Sequence, residues 1–219
     1  MICTCFGKGD QLLHPGRLSG LECAEIRLDQ LKLDADAVRE LFSLPLPTIA
    51  TCRMGALPAS KRLSLLIAAV ESGAAFVDLD RSDVRTFIPA LAPAMRRRDC
   101  RLIVSHHDHE HTPGFHRLRK IAISCLYAGA NLVKIACRVN HPSDATRLMS
   151  LYNLRHPPPS SLLAIGMGPA GTWTRIAALA LGAPLAYAAP DDGKETAPGQ
   201  LKTSTMVELR RILISGGLE

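Results

Sequence analysis

The sequence predicts an α/β protein folded as a single (β/α)8 TIM barrel, and three observations support this fold class. Eight short apolar runs rich in β-branched residues alternate with longer helix-like segments along the 219 residues. Strict alternation predicts parallel pairing of the strands, and eight is the number of strands that closes such a barrel. Neither GxGxxG nor a P-loop follows the first strand, which disfavours the competing open, doubly wound sheet.

The predicted elements follow one another from end to end of the chain. Strands are expected at residues 1–6, 23–29, 48–54, 75–80, 101–108, 132–139, 162–168 and 185–189. Helices are expected at 35–44, 59–73, 82–98, 114–128, 142–155, 172–182 and 203–215, the third capped by Ser82 and Asp83. The first crossover, GDQLLHPGRLSG, contains Pro15 and Gly16 and predicts a reduced helix or a loop. Residues 1–219 are expected to form one domain.

The composition indicates which partners to expect. The net charge is +6, but the basic residues form no continuous stripe with stacking aromatics, so no nucleic-acid partner is expected. The excess of arginine suits a small anionic substrate. No signal peptide or 18-residue apolar run is present, and the seven cysteines, an odd number mostly inside apolar runs, indicate buried thiols. We therefore expect a cytoplasmic protein without a membrane partner, and a homodimer is one assembly the sequence allows.

Polar residues lie near the C-terminal ends of the predicted strands, where barrel enzymes place their active sites. By period two, the polar residues of one strand share a face and converge at the barrel mouth, which predicts a site for a charged substrate. These residues are Glu25, Arg27 and Asp29 on strand two, Arg53 on strand three, Asp78 and Asp80 on strand four, Ser105–Asp108 on strand five and Lys134 on strand six.

Lys134 carries the most chemical information because it lies in mid-strand between Val133 and Ile135. One interpretation is structural, with the stem packed and the ammonium paired with a carboxylate. The other is functional. Burial and nearby cations favour the neutral amine, which attacks a carbonyl to form a Schiff base.

The stretch SHHDHEHTP contains four of the eight histidines, which raises the alternative of a metal site. Histidines at i and i+2 on a strand can supply two zinc ligands, and Asp80 or Asp108 could supply another. Pro113 and Gly114 follow closely, so the strand is expected to end early. We then expect either His106 or His107 to face inward and the other to face the helix layer, with His109 and His111 on the loop.

Several segments in this order resemble type I 3-dehydroquinate dehydratase, a Schiff-base lyase of the shikimate pathway and aromatic amino-acid biosynthesis. The resemblance implies a barrel enzyme without a cofactor or metal that converts 3-dehydroquinate into 3-dehydroshikimate and water. The matching segments are EIRLD (25–29), TCR (51–53), VDLD (77–80), VSHHDHEHTP (104–113), VKIA (133–136), GTWTRIAALALGAPLAYA (171–188) and TAPGQ (196–200).

The resemblance also implies roles for individual residues of this chain. Lys134 matches the Schiff-base lysine and His107 the general acid/base histidine. The residues matching substrate-binding positions are Thr4, Glu25, Arg27, Arg53, Arg175, Thr196 and, on the closing loop, Gln200.

The chain departs from the family pattern at three positions. Leu57 occupies the place of a loop glutamate that assists the histidine, Asp80 replaces a glutamate on strand four, and Thr196 replaces a serine. Asp80 is the candidate support for His107. The missing glutamate keeps open an attenuated or non-catalytic homologue, and the histidine cluster, His106–His111, keeps open a metal-dependent hydrolase.

Overall fold

The computed structural model describes residues 1–9, 12, 16–55, 57–154 and 161–215. Eight strands form one parallel sheet that curls into the predicted (β/α)8 barrel. The strands are β1 (Ile2–Phe6), β2 (Cys23–Arg27), β3 (Thr48–Thr51), β4 (Phe76–Asp80), β5 (Arg101–Asp108), β6 (Leu132–Arg138), β7 (Ser161–Met167) and β8 (Ala186–Ala188). Their order is β7-β6-β5-β4-β3-β2-β1-β8, so the last strand returns to pair with the first and nearly closes the barrel.

In the described part of the chain, seven α-helices lie between and after these strands. They are α1 (Ala35–Phe42), α2 (Ala59–Glu71), α3 (Val84–Arg98), α4 (Phe115–Tyr127), α5 (Pro142–Met149), α6 (Thr174–Ala180) and α7 (Thr203–Ser215). The fifth helix is shorter than predicted because the chain tightens into a 3₁₀ turn at Ser150–Asn153, and residue 155 lies outside the described residues. Among the described helices, none has the length and apolar character that a membrane crossing requires.

Two local predictions at the ends of elements can be compared with the structure. Between β1 and β2, the described residues 7–9, 12 and 16–22 contain no helix, and the remaining crossover residues lie outside the described part. The predicted cap by Ser82 and Asp83 is wrong in its chemistry. Asp83 occupies the N-cap position of α3, but its carboxylate binds Arg62, and the Ser82 hydroxyl donates to Asp80.

The core consists of two main apolar layers, one on each face of the sheet, and a small third cluster where β1 and β8 pack against α7. The larger layer fills the space between strands and helices, and the smaller fills the barrel interior with residues such as Ile49, Ile103 and Leu163. All seven cysteines are buried and free, which confirms the prediction of buried thiols. Because side chains alternate along a strand, each strand contributes to both layers.

A buried ion pair ties α2 and α3 to the end of β3. Arg62 is 3% exposed, binds the Asp83 carboxylate, and donates from Nε and Nη2 to the carbonyl oxygen of Cys52 at 3.2 and 3.0 Å. Its guanidinium also lies over the Phe87 ring, 5.0 Å from the centroid. Cys52 directly precedes Arg53, so this cluster holds the backbone that carries a predicted site residue.

Arg62→Ala is expected to lower the free energy of unfolding by about 3–5 kcal/mol, because it leaves a buried carboxylate and carbonyl without their partner. Urea unfolding measures this loss. The matched control is Arg39→Ala, which removes an exposed pair with Asp36 and is expected to cost about 0–1 kcal/mol. Equal losses in the two variants would contradict the structural role of Arg62.

Candidate active site

The inward face of the barrel changes from apolar to polar along the strands. Ile49, Phe76, Ile103 and Leu132 lie in the inner apolar layer. Two residues further along their strands lie Thr51, Asp78, Ser105 and Lys134, all at most 5% exposed. A cavity of about 560 Å³ opens above them at the C-terminal ends of the strands. The polar residues therefore converge where a barrel enzyme places its chemistry.

Lys134 lies at the base of this cavity between two carboxylates. Its Nζ is 3.1 Å from Oδ2 of Asp78 and 3.5 Å from Oε1 of Glu25. Glu25 also accepts a hydrogen bond from Thr51 Oγ1 at 3.0 Å. Burial opposes ionisation of Glu25, but the charges of Lys134, Arg27 and Arg53 together outweigh it and lower the pKa of that carboxyl. The amine is therefore held in one place by groups that are charged near neutral pH.

Asp78 is the centre of the charge network, although no role was predicted for it from the sequence. It receives Arg53 Nη2 at 2.6 Å and the Ser105 hydroxyl at 2.7 Å, in addition to Lys134. Arg53 Nη1 donates in turn to the Ser105 oxygen at 2.8 Å. Although burial disfavours the carboxylate, Arg53 and Lys134 hold the pKa of Asp78 far below its usual range.

His107, the second-last residue of β5, lies at the wall of the cavity and faces Asp80. The distance from His107 Nδ1 to Asp80 Oδ2 is 3.7 Å, longer than a hydrogen bond. Asp80 Oδ1 accepts from the Ser82 amide and hydroxyl at 2.9 and 2.8 Å, which fixes the carboxylate and leaves Oδ2 toward the imidazole. Burial and the charge of Arg53 lower the pKa of His107 to about 4, against the opposing effect of Asp80.

This pKa predicts an unusual pH dependence. The unprotonated imidazole is the form that acts as a base, and it persists down to about pH 4 instead of about 6.5. We therefore expect the acid limb of kcat/KM, which reports the free protein, to fall near pH 4. Between pH 6.5 and 4 the unfolded chain binds a proton at His107 that the folded chain does not, so this group removes stability as pH falls. An acid limb at pH 6.5 would contradict the environment described for His107.

Arg175 and the segment Thr196–Gln200 form the opposite side of the cavity. Arg175 is 1% exposed and donates from Nε to the Gly199 carbonyl at 2.9 Å, while its Nη1 is buried without a partner among the described residues. Gln200 Oε1 accepts from the amide of Thr196 at 2.7 Å and from its hydroxyl at 3.2 Å. Gly199 has φ +81°, and a Cβ there would lie 2.7 Å from the Gly168 carbonyl, so the loop packs tightly on the mouth.

The structure does not bring Thr4 to the cavity, and this corrects the prediction that it contacts substrate. Its hydroxyl lies 2.8 Å from the hydroxyl of Thr203, at the start of α7 on the helix side of the sheet. The neighbouring Cys3 and Cys5 face inward instead, and Cys5 Sγ receives Gln200 Nε2 at 3.2 Å. Alternation explains the result, because a one-residue difference in register exchanges the two faces of a strand.

The remaining predicted residues line the cavity. Arg27 lies at its edge and forms a bidentate pair with Asp29 at 3.0 and 2.6 Å. Leu57 packs against the large apolar layer, so the segment after Arg53 brings no carboxylate to the site at this position. Met54, which directly follows Arg53, lines the cavity and is 71% exposed.

The four histidines of the stretch SHHDHEHTP point in different directions. His106 lies on the helix face of β5, and its Nε2 is buried without a partner among the described residues. His111 lies beyond the strand beside Asp108, at 3.3 Å. In the part of the chain that the structure describes, no group of three His, Cys, Asp or Glu side chains is arranged to hold a metal ion. The hydrolase alternative therefore gains no support from this cluster.

Several cavity residues had no predicted role in the site, and His109 and Tyr187 are the two that lie beside the proposed catalytic groups. His109 lies on the loop as predicted, yet it lines the cavity and stacks on His107, with ring centroids 6.2 Å apart. Tyr187 on β8 is buried, lines the cavity and contacts Lys134. A signal for Tyr187 was present, because it is the only polar side chain in LAYAA.

Comparison with known proteins places this arrangement in a family. The 3-dehydroquinate dehydratase of Desulfotalea psychrophila is 32% identical over 197 residues, which cover 87% of this chain and 86% of that protein. The enzyme of the same name from Methanocaldococcus jannaschii is 30% identical over 203 residues, covering 88% and 87%.

Solved structures give the same result. The crystal structure of 3-dehydroquinate dehydratase from Aquifex aeolicus superposes with a TM-score of 0.79 at 25% identity, covering 96% of this chain and 98% of that one. The enzyme from Geobacillus kaustophilus superposes with a TM-score of 0.85 at 21% identity, covering 99% and 91%, and supports the fold. The sequence model of the type I 3-dehydroquinase family matches residues 10–215. The chain therefore belongs to the type I 3-dehydroquinase family.

Proposed function

We propose that this chain is a 3-dehydroquinate dehydratase, a hydro-lyase that converts 3-dehydroquinate into 3-dehydroshikimate and water in aromatic amino-acid biosynthesis. The observation that carries the proposal is the position of Lys134. Its buried amine lies at the base of a 560 Å³ cavity, between Asp78 and Glu25, in a chain that belongs to this family. A molecule of 3-dehydroquinate bound in this cavity would lie beside both the Lys134 amine and the His107 imidazole.

The first step is imine formation. Unprotonated Lys134 Nζ attacks the C3 carbonyl carbon, and the resulting carbinolamine loses water to give a cationic iminium. Counted from the ammonium form, Nζ loses two protons in this step, and both leave on the carbonyl oxygen as water. The carboxylates of Glu25 and Asp78, at 3.5 and 3.1 Å from Nζ, stay ionised and stabilise the cationic nitrogen. The iminium then acts as an electron sink for the adjacent carbon C2.

The second step is elimination. Neutral His107 removes a proton from C2, and the electron pair moves into the C2–C3 bond to form an enamine. Return of those electrons breaks the C1–O bond, and the hydroxyl leaves as water after receiving the proton from His107. Water then hydrolyses the conjugated iminium, which releases 3-dehydroshikimate and restores the Lys134 amine.

The cationic groups around the cavity are proposed to hold the anionic substrate. Arg175 offers Nη1, which has no partner among the described residues, and a guanidinium can bind a carboxylate bidentately. Arg27 lies at the edge of the cavity, while Arg53 is committed to Asp78 and Ser105. Arg175 is therefore the proposed carboxylate ligand, and Arg27 and Glu25 are proposed to bind substrate hydroxyls.

Thr196 and Gln200 are proposed to close the cavity over the substrate. Their side chains bind each other, and Arg175 binds the Gly199 carbonyl between them. The segment Thr196–Gln200 therefore connects Arg175, the proposed carboxylate ligand, with the mouth of the barrel. Substrate binding to Arg175 would be coupled to the position of this loop.

Asp80 is proposed to orient His107 in place of the missing loop carboxylate. Its Oδ2 faces Nδ1, which leaves Nε2 as the nitrogen available to the substrate. The 3.7 Å separation is longer than a hydrogen bond, so the support is weaker than a direct contact. This geometry, together with Leu57 in the core, favours the attenuated homologue as the second candidate function.

A continuous assay separates these candidates. Purified protein with 3-dehydroquinate is expected to produce the conjugated enone of 3-dehydroshikimate, followed by its ultraviolet absorbance. A kcat in the common range of about 1–10³ s⁻¹ supports the enzyme, and turnover far below it supports the attenuated homologue. No product at any protein concentration would overturn the proposed activity.

We also propose that the protein acts in the cytoplasm, as the seven free, buried thiols favour a reducing compartment. Assembly as a homodimer stays a prediction. Sedimentation equilibrium tests it, since a dimer doubles the 23.6 kDa mass of the chain.

A further inference from the structure

Tyr187 occupies a position in the site to which the sequence assigned no function. It lies in the middle of the three-residue strand β8, paired in register with Cys3 of β1. Its side chain is 2% exposed and belongs to the inner apolar layer, yet part of it lines the cavity. The residue therefore connects the packed floor of the barrel with the proposed catalytic cavity.

The aromatic ring of Tyr187 contacts the reacting nitrogen directly. Lys134 Nζ lies 3.7 Å from the ring centroid, well within the distance at which a cation is attracted to the face of an aromatic ring. Asp78 and Glu25 contact the same nitrogen at 3.1 and 3.5 Å. The long, flexible lysine side chain is thus restrained at its tip by two carboxylates and one ring.

We propose that the ring face of Tyr187 positions Lys134 Nζ for attack and stabilises the positive charge of the iminium that forms on this nitrogen. This inference rests on the proposed dehydratase function. The iminium carries its charge at the nitrogen that the ring already contacts, so the attraction continues after the substrate has bound. An aliphatic side chain of similar size fills the space but offers no negative ring face.

The phenol hydroxyl is not required for this role. It is buried and has no hydrogen-bond partner among the described residues. Burial and the nearby carboxylates of Glu25 and Asp78 raise the pKa of the phenol well above its usual value, so it stays neutral. The ring and not the hydroxyl is therefore expected to matter, which makes phenylalanine the conservative replacement.

The experiment measures the rate of imine formation, trapped by borohydride in the presence of 3-dehydroquinate. Tyr187→Phe is expected to form the adduct at a rate within about two-fold of that of the unsubstituted protein. Tyr187→Leu is expected to form it about ten-fold more slowly than the unsubstituted protein. Circular dichroism and thermal melting establish that each variant is folded. Equal rates for Tyr187→Phe and Tyr187→Leu would overturn the proposal.

A fluorinated series keeps the proposal testable even if Tyr187→Leu does not fold. Phenylalanine carrying zero, one or three ring fluorines is placed at position 187 by nonsense suppression, which weakens the negative ring face while nearly preserving its shape. The logarithm of the trapping rate is expected to fall steadily with the number of fluorines. A flat series would reduce Tyr187 to a packing residue. Failure of the unsubstituted protein to form any adduct would instead overturn the dehydratase function itself.

Discussion

Lys134→Met is expected to lower kcat/KM for 3-dehydroquinate by about 10⁴–10⁶-fold, the scale of losing a covalent nucleophile. Methionine retains most of the buried stem but has no amine, so neither the imine nor its electron sink can form. Asp78 keeps Arg53 as a partner at 2.6 Å, which limits the structural damage to the site. The measurement is steady-state turnover by enone absorbance, combined with thermal melting.

The matched control for this variant is Lys32→Met, an exposed lysine outside the cavity. It is expected to retain full activity, since it changes the same side chain without touching the site. If Lys134→Met kept more than a tenth of the activity while folded, the lysine would not be the nucleophile. The purely structural interpretation of Lys134, as a buried partner of Asp78 and Glu25, would then be correct.

His107→Ala is expected to lower kcat by about 10²–10⁴-fold, the usual contribution of a positioned general acid and base. The imine itself can still form, because Lys134 and its carboxylate neighbours are unchanged. We therefore expect the variant to accumulate a borohydride-trappable adduct that turns over slowly. Single-turnover kinetics, in which trapping and product release are followed separately, distinguish the two steps.

His111→Ala provides the control within the same histidine-rich stretch. Its side chain is 63% exposed and pairs with Asp108 outside the cavity, so activity is expected to be unchanged. A His107→Ala variant with normal kcat would exclude the imidazole as the proton carrier. His109, which stacks on His107, would then be the next base to consider.

The sequence predicted the fold well because barrel strands have a clear signal. Strand β5 has the predicted bounds of residues 101–108, and α7 has the predicted bounds of 203–215. Other elements end a few residues early, as β3 does at Thr51, where the chain leaves the sheet to form the mouth of the cavity. Apolar runs show that a strand exists, but they do not show where its last hydrogen bond lies.

The sequence predicted the site residues that combine an inward-facing strand position with an unusual charge. It did not predict the others. Lys134, Glu25 and Arg53 stood out as charges within apolar strands, and the structure brings them together. Thr4 was misplaced because both faces of β1 are buried, so polarity could not identify the inward one. Tyr187 was missed because a buried aromatic in a strand is usually core.

Asp78 shows what only three-dimensional structure supplies. As one of several polar residues at strand ends, it was noted but given no role. The structure shows that Ser105 of β5, Lys134 of β6 and Arg53, just after β3, all meet at its carboxylate. Such a contact depends on barrel closure and strand register, which the sequence pattern does not specify.

Chemical trapping of the imine is the most direct test of whether Lys134 is the nucleophile. The protein is incubated with 3-dehydroquinate, reduced with borohydride, digested and weighed by mass spectrometry. We expect a stable mass increase on the peptide that contains Lys134, no increase without substrate, and none in Lys134→Met. Full dehydratase turnover without any adduct, or an adduct on another lysine, would contradict this expectation.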